Sequence, residues 1–103
     1  MDLGLKGRWA LITGASQGIG EGIAEAFAVE GANLHLTARN AERLAEIKSK
    51  LEAEHGVTVE VHAMDMTEPG AVEKLVEAAG DVDILVNNAG VIPGGNLEAI
   101  DEQ

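Results

Sequence analysis

The chain has 103 residues, is 46% hydrophobic and carries a formal net charge of −11. That length suits one domain with a real core, and the negative balance makes nucleic acid and anionic membranes poor partners. The absence of cysteine rules out a disulfide framework or a thiolate metal site.

The charge is unevenly placed. Up to Leu51, six basic residues (Lys6, Arg8, Arg39, Arg43, Lys48, Lys50) match six acidic ones. From Glu52 onward only Lys74 opposes twelve carboxylates. The balanced half is the one suited to an anionic ligand, and the acidic half reads as a solvated surface. Trp9 and Phe27 are the only aromatic residues, so the core must come from Val, Leu, Ile and Ala. No basic segment leads into a long apolar run, and no apolar stretch approaches the ~20 residues of a membrane span. The expectation is a cytoplasmic protein without a signal peptide.

Strand and helix patterns alternate along the chain, which predicts βαβ units and a parallel sheet. A first strand is expected over residues 8–13. A first helix over 18–30 follows from Ile19, Ile23 and Phe27 at i, i+4 and i+8, with Gly31 as its stop. A second strand covers 33–38. Asn40 is a suitable N-cap for a second helix that runs to His55, with an apolar stripe of Leu44, Ile47 and Leu51. The third strand spans 58–63, with Val57, Val59 and Val61 on one face. Thr67 is expected to cap a third helix over 68–79, with Pro69 tolerated early and Val72, Leu75, Val76 and Ala79 as its stripe. The fourth strand covers 83–86, a Pro93-Gly94-Gly95 loop follows, and residues 97–103 begin another helical pattern.

Two motifs punctuate this pattern. Thr13-Gly14-Ala15-Ser16-Gln17-Gly18-Ile19-Gly20 sits between the first strand and the first helix. Glycines there let the backbone approach a pyrophosphate, and free N–H groups at the helix start favour its charge. The strand before and the helix after make this a strong signal. Downstream, the fourth strand runs into Asn87-Asn88-Ala89-Gly90. In these two motifs, their order and their separation, the chain resembles the short-chain dehydrogenase/reductase family over residues 5–95.

The resemblance implies an α/β Rossmann-type fold, a doubly wound parallel sheet with strand order 3-2-1-4, cut off after the fourth strand. Residues 1–103 would form a single NAD(P)-binding domain. Carboxyl ends of the strands would share one edge, where ligands of open α/β sheets bind. On that edge the expected cofactor contacts are Gly14, Ser16, Gln17, Gly18, Ile19 and Gly20 of the turn, and Arg39 after the second strand. Asp65 would accept from the adenine amino group, with Met66 offering backbone, and Asn88 and Gly90 would lie near the ribose.

Arg39 carries the choice of cofactor. An acidic residue near the end of strand two selects NAD in dinucleotide folds. Here no Asp or Glu occurs between Gly31 and Glu42, and Ala38 stands where NAD-preferring relatives often place Asp. A guanidinium at Arg39 can pair with a 2′-phosphate, which favours NADP over NAD. Gln17 departs from the basic residue that many NADP-preferring relatives carry in the turn.

His35, His55 and His62 are not spaced as a metal site and are read as packed or surface residues. Trp9 is read as packing.

By resemblance, a longer protein of this type moves a hydride between NADP(H) and a carbonyl or secondary alcohol. The family's catalytic Ser and Tyr-x-x-x-Lys lie beyond its fourth strand, and this sequence contains no tyrosine. The expectation is therefore the cofactor-binding half of an oxidoreductase, inactive alone and a possible homo-oligomer in its longer form. The rival expectation is a non-catalytic nucleotide-binding or structural module.

Overall fold

The computed structural model of the chain describes residues 4–16 and 18–88. The elements run β1 (Trp9–Thr13), α1 (Gly18–Val29), β2 (Asn33–Ala38), α2 (Ala41–His55), β3 (Val59–Ala63), α3 (Ala71–Ala79) and β4 (Ile84–Asn87). The sheet has the order β3-β2-β1-β4, and all three pairings are parallel. Register sets Thr13 against Thr37 on one side and against Asn87 on the other. The ends of β1, β2 and β4 therefore meet at one edge, as the sequence predicts. The last expected elements, the loop at 93–95 and the helix start at 97–103, lie outside the described residues.

Alternation along each strand sends side chains to two faces. On one face Ala10, Ile12, Leu34, Leu36 and Val59 pack against Ala24 and Ala28 of α1 and Leu44, Ile47 and Leu51 of α2. Burying each of the large aliphatic side chains contributes about 1.5–3 kcal/mol. On the other face Leu11 and Leu85 meet Met66 and the Ala71 and Leu75 side of α3. The helices thus cover both faces, as a doubly wound sheet requires.

Asn40 caps α2 as expected, its Oδ1 accepting from the Arg43 backbone N–H at 3.0 Å. The third helix differs from expectation. Thr67 does not cap it. Its N–H and its hydroxyl both donate to Asp65 Oδ1, at 2.9 and 2.6 Å. Pro69 disfavours helical backbone at Glu68, and Gly70 is left-handed with φ 82°. The helix therefore starts only at Ala71, and Pro69 precedes it. Val76, expected in the apolar stripe, is 58% exposed. It sits one step round the helix from Leu75, off the line of Ala71, Leu75 and Ala79 that meets the sheet.

The β3 edge is closed by α2. Val59 N–H donates to Glu52 Oε2 at 3.0 Å, and Lys48 Nζ donates to Val59 O at 2.6 Å and to Glu52 Oε2 at 3.0 Å. Both outward backbone groups of that residue are satisfied, which blunts the edge as a template for another strand. The Val59 N–H, helped by Lys48, holds the Glu52 carboxyl below its ordinary range.

The α3 side of the sheet also holds a stack of rings. Trp9 lies over His35 with centroids 4.7 Å apart, and His35 lies over His62 at 5.2 Å. His35 Nδ1 and His62 Nε2 are 3.0 Å apart, so one ring donates and the other accepts. Burial pushes both imidazoles below the ordinary 6.5; His62 adds to the effect on His35, and Glu60 opposes it for both. A depressed folded value means that the unfolded chain binds more protons below 6.5. Stability from this pair is present above that value and is lost as pH falls toward the folded values. A His35→Phe, His62→Leu variant is expected to lose less stability between pH 7.5 and 5.5 than the wild type. Urea midpoints at the two pH values check this, and equal acid losses would contradict it.

Candidate functional site

The site is built at the shared edge by one threonine. Thr13 ends β1 and is 1% exposed. Its hydroxyl donates to Asn87 Oδ1 at 3.0 Å and accepts the Asn88 backbone N–H at 2.9 Å. Asn88 Nδ2 then donates to Gly14 O at 3.3 Å. These bonds tie the glycine turn to the end of β4. In the sequence Thr13 stands only as the first residue of the glycine motif, and nothing in the motif singles out this role. The available signal was a hydroxyl at the end of a buried strand, facing an amide pair on its neighbour.

The turn itself is held from the other side by Ala15 N–H, which donates to Thr37 O at 3.1 Å. Gly14 has φ 67°, in the left-handed region that glycine enters without strain. Helix α1 then begins at Gly18, and the N–H groups of its first turn have no partner within the helix. The two helical glycines of the motif differ. A Cβ on Gly20 would stand 2.2 Å from Gly14 O and 2.8 Å from Asn88 Nδ2. A Cβ on Gly18 would meet nothing within 4 Å among the described residues. Gly20 lets the helix touch the turn, and Gly18 leaves the outer side of the turn open. Ile19 stands beside that opening with 75% of its surface exposed. Ser16 is half-buried on the turn.

Arg39 is exposed at the end of β2, and no hydrogen bond or ion pair holds its guanidinium among the described residues. Arg43, one turn further on, is committed: it ion-pairs Glu21 of α1 and, at 2.9 Å, Glu46. Asp65, after β3, is held below its ordinary value by the Thr67 hydroxyl first, then by the Thr67 N–H, with Arg39 adding attraction. Its carboxylate is fixed by that turn. Met66 is 7% exposed, its side chain sunk in the α3 core. The structure thus places Gly14, Ser16, Gly18, Ile19, Gly20 and Asn88 in one region where the β1 and β4 ends meet. Arg39 and Asp65 follow β2 and β3 along the same edge. Gln17 and Gly90 lie outside the described residues.

A short strand, a tight glycine turn and a helix N-terminus at the carboxyl edge of a 3-2-1-4 sheet define a dinucleotide-type site. The chain belongs to the short chain dehydrogenase family, whose model matches residues 8–103. It is 38% identical over 94 residues to a 3-dehydrosphinganine reductase of Arabidopsis thaliana, covering 91% of this chain and 28% of that protein. It is 36% identical over 104 residues to a 2,3-dihydro-2,3-dihydroxybenzoate dehydrogenase of Bacillus subtilis, covering 97% and 40%. Among solved structures it resembles an L-sorbose reductase of Gluconobacter frateurii complexed with NADPH and L-sorbose. That match has 44% identity and a TM-score of 0.83, covering 95% of this chain and 39% of that one. An alcohol dehydrogenase of Thermococcus sibiricus complexed with 5-hydroxy-NADP matches at 43% identity and a TM-score of 0.70, covering 78% and 36%. The chain therefore spans well under half the length of these relatives. Among the described residues no helix is long and apolar enough to cross a membrane.

Proposed function

We propose that this chain is the NADP-binding part of an oxidoreductase that moves a hydride between nicotinamide and a carbonyl or secondary alcohol. The observation that carries the cofactor half of this reading is the glycine turn, closed by backbone contact at Gly20 and open at Gly18. A pyrophosphate at that opening meets the N–H groups of the α1 start, where a negative charge is favoured. Ile19 would be covered by the bound cofactor. Arg39 would pair with the 2′-phosphate, since Arg43 already serves two carboxylates. The Asp65 carboxylate would accept from the adenine amino group, with Met66 giving backbone contact, and Asn88 and Gly90 would flank the ribose. The NADPH- and 5-hydroxy-NADP-bound relatives support the choice of cofactor. The substrate, and any self-association, would belong to the longer protein.

The general acid of the reaction would come from a tyrosine, which this sequence does not contain. The 103-residue chain is therefore expected to bind NADPH and not to oxidise it. Nicotinamide fluorescence during titration reads binding, and loss of absorbance with a panel of ketones reads turnover. Binding without turnover is the expected result. Ketone-dependent oxidation by the purified chain would overturn the assignment of the acid. Failure to bind either nicotinamide cofactor would favour the rival structural module.

A further inference from the structure

Helices α1 and α2 bring three ligand atoms together where α2 ends. His55 closes α2, and its Nε2 faces Glu25 Oε2 at 3.6 Å and Glu54 Oε1 at 3.7 Å. No two of the three ligand atoms are more than 4.8 Å apart. His55 Nε2 is shut off from solvent and has no hydrogen-bond partner among the described residues. A buried ring nitrogen is seldom left unpaired, because its lost hydration is not replaced. Here it faces two carboxylate oxygens without forming a hydrogen bond to either.

We propose that Glu25, Glu54 and His55 form a binding site for a divalent transition-metal ion of the zinc class. Imidazole nitrogen and carboxylate oxygens bind zinc at about 2.0–2.2 Å, which at tetrahedral angles separates ligand atoms by about 3.4 Å. The two distances from His55 Nε2 exceed that only slightly, so small side-chain movements close the site. The fourth position is left to water. Lys50 Nζ approaches Glu25 Oε1 at 3.5 Å, using the oxygen that does not face His55. The ammonium thus orients Glu25 without occupying the ligand position, in the manner of an outer-sphere support. Two carboxylates and one ammonium leave a local charge of −1 for the cation to neutralise. Bound metal would pin the end of α2 to the middle of α1, the helix that begins at the glycine turn.

The test is calorimetric titration of zinc chloride into the 103-residue chain, with thermal unfolding in zinc and in EDTA. One equivalent of zinc should bind, and zinc should raise the melting temperature because only the folded chain presents all three ligands. Glu25→Gln and His55→Gln should each weaken binding at least tenfold. His62→Leu should leave it unchanged, which separates this site from the His35–His62 pair. Zinc affinity that survives both Glu25→Gln and His55→Gln, or no binding by the wild type, would overturn the proposal.

Discussion

Gly20→Ala is expected to lower the stability of this chain sharply, whereas Gly22→Ala, two residues along the same helix, should raise it. A helix-interior glycine costs roughly 0.5–1 kcal/mol relative to alanine, and a Cβ at Gly22 meets nothing within 4 Å among the described residues. Gly22→Ala should recover about that amount. At Gly20 the same methyl group would stand 2.2 Å from Gly14 O and 2.9 Å from Gly14 C. Both are backbone atoms of a turn pinned by Thr13, Asn88 and the Ala15–Thr37 bond, so the helix must move away. Forcing extra volume into a packed contact costs typically 1–3 kcal/mol. Each kcal/mol corresponds to about 4–8 °C in melting temperature for a domain of this size. Thermal unfolding of the two variants checks the contrast. Equal stability would mean that the turn and the helix do not touch as described.

Arg39→Leu is expected to cut NADPH affinity by one to two decades and to leave NADH affinity nearly unchanged. A hydrogen bond to a charged group contributes about 1.5–3 kcal/mol, and 1.4 kcal/mol is tenfold. Only NADPH carries the 2′-phosphate, so only its affinity should fall. The single substitution is preferable to one that also adds Asp at position 38. Ala38 is 8% exposed and packs in the α1–α2 core, where a new carboxylate brings its own desolvation cost. Paired titrations with the two cofactors read the effect. If both affinities fall alike, Arg39 is structural. If neither falls, the phosphate is read elsewhere, with Ser16 the next group on the turn.

The fold was legible because periodicity and punctuation agree. Apolar spacing of two and of 3.6 residues separates β2 from α2 without ambiguity, and Asn40 caps where expected. The third helix starts later than its sequence implies, because Thr67 has the right chemistry for a cap but lies within reach of Asp65. Local competition between hydroxyl and backbone partners is settled by geometry, and Pro69 with Gly70 then delays the helix. Part of the site was visible as well: the glycine turn announces itself through residue types that only a close backbone approach requires. The Thr13 link to Asn87 and Asn88 was not visible, because it joins residues 74 and 75 positions apart through strand register. The His35–His62 contact was hidden for the same reason. His62 pairs with Thr37 in register, and His35 is reached diagonally.

The central claim is that the open side of the glycine turn holds the cofactor's pyrophosphate. Gly18→Val tests it most directly, because a Cβ at Gly18 meets nothing within 4 Å among the described residues, so the new side chain projects into the space outside the turn. The measurement is calorimetric titration of NADPH into the wild-type chain and into a Gly18→Val variant whose circular dichroism spectrum matches it. The account predicts binding by the wild type and none measurable by the variant. Unchanged affinity in the folded variant would show that the turn is only a strand-to-helix connection and that the pyrophosphate lies elsewhere.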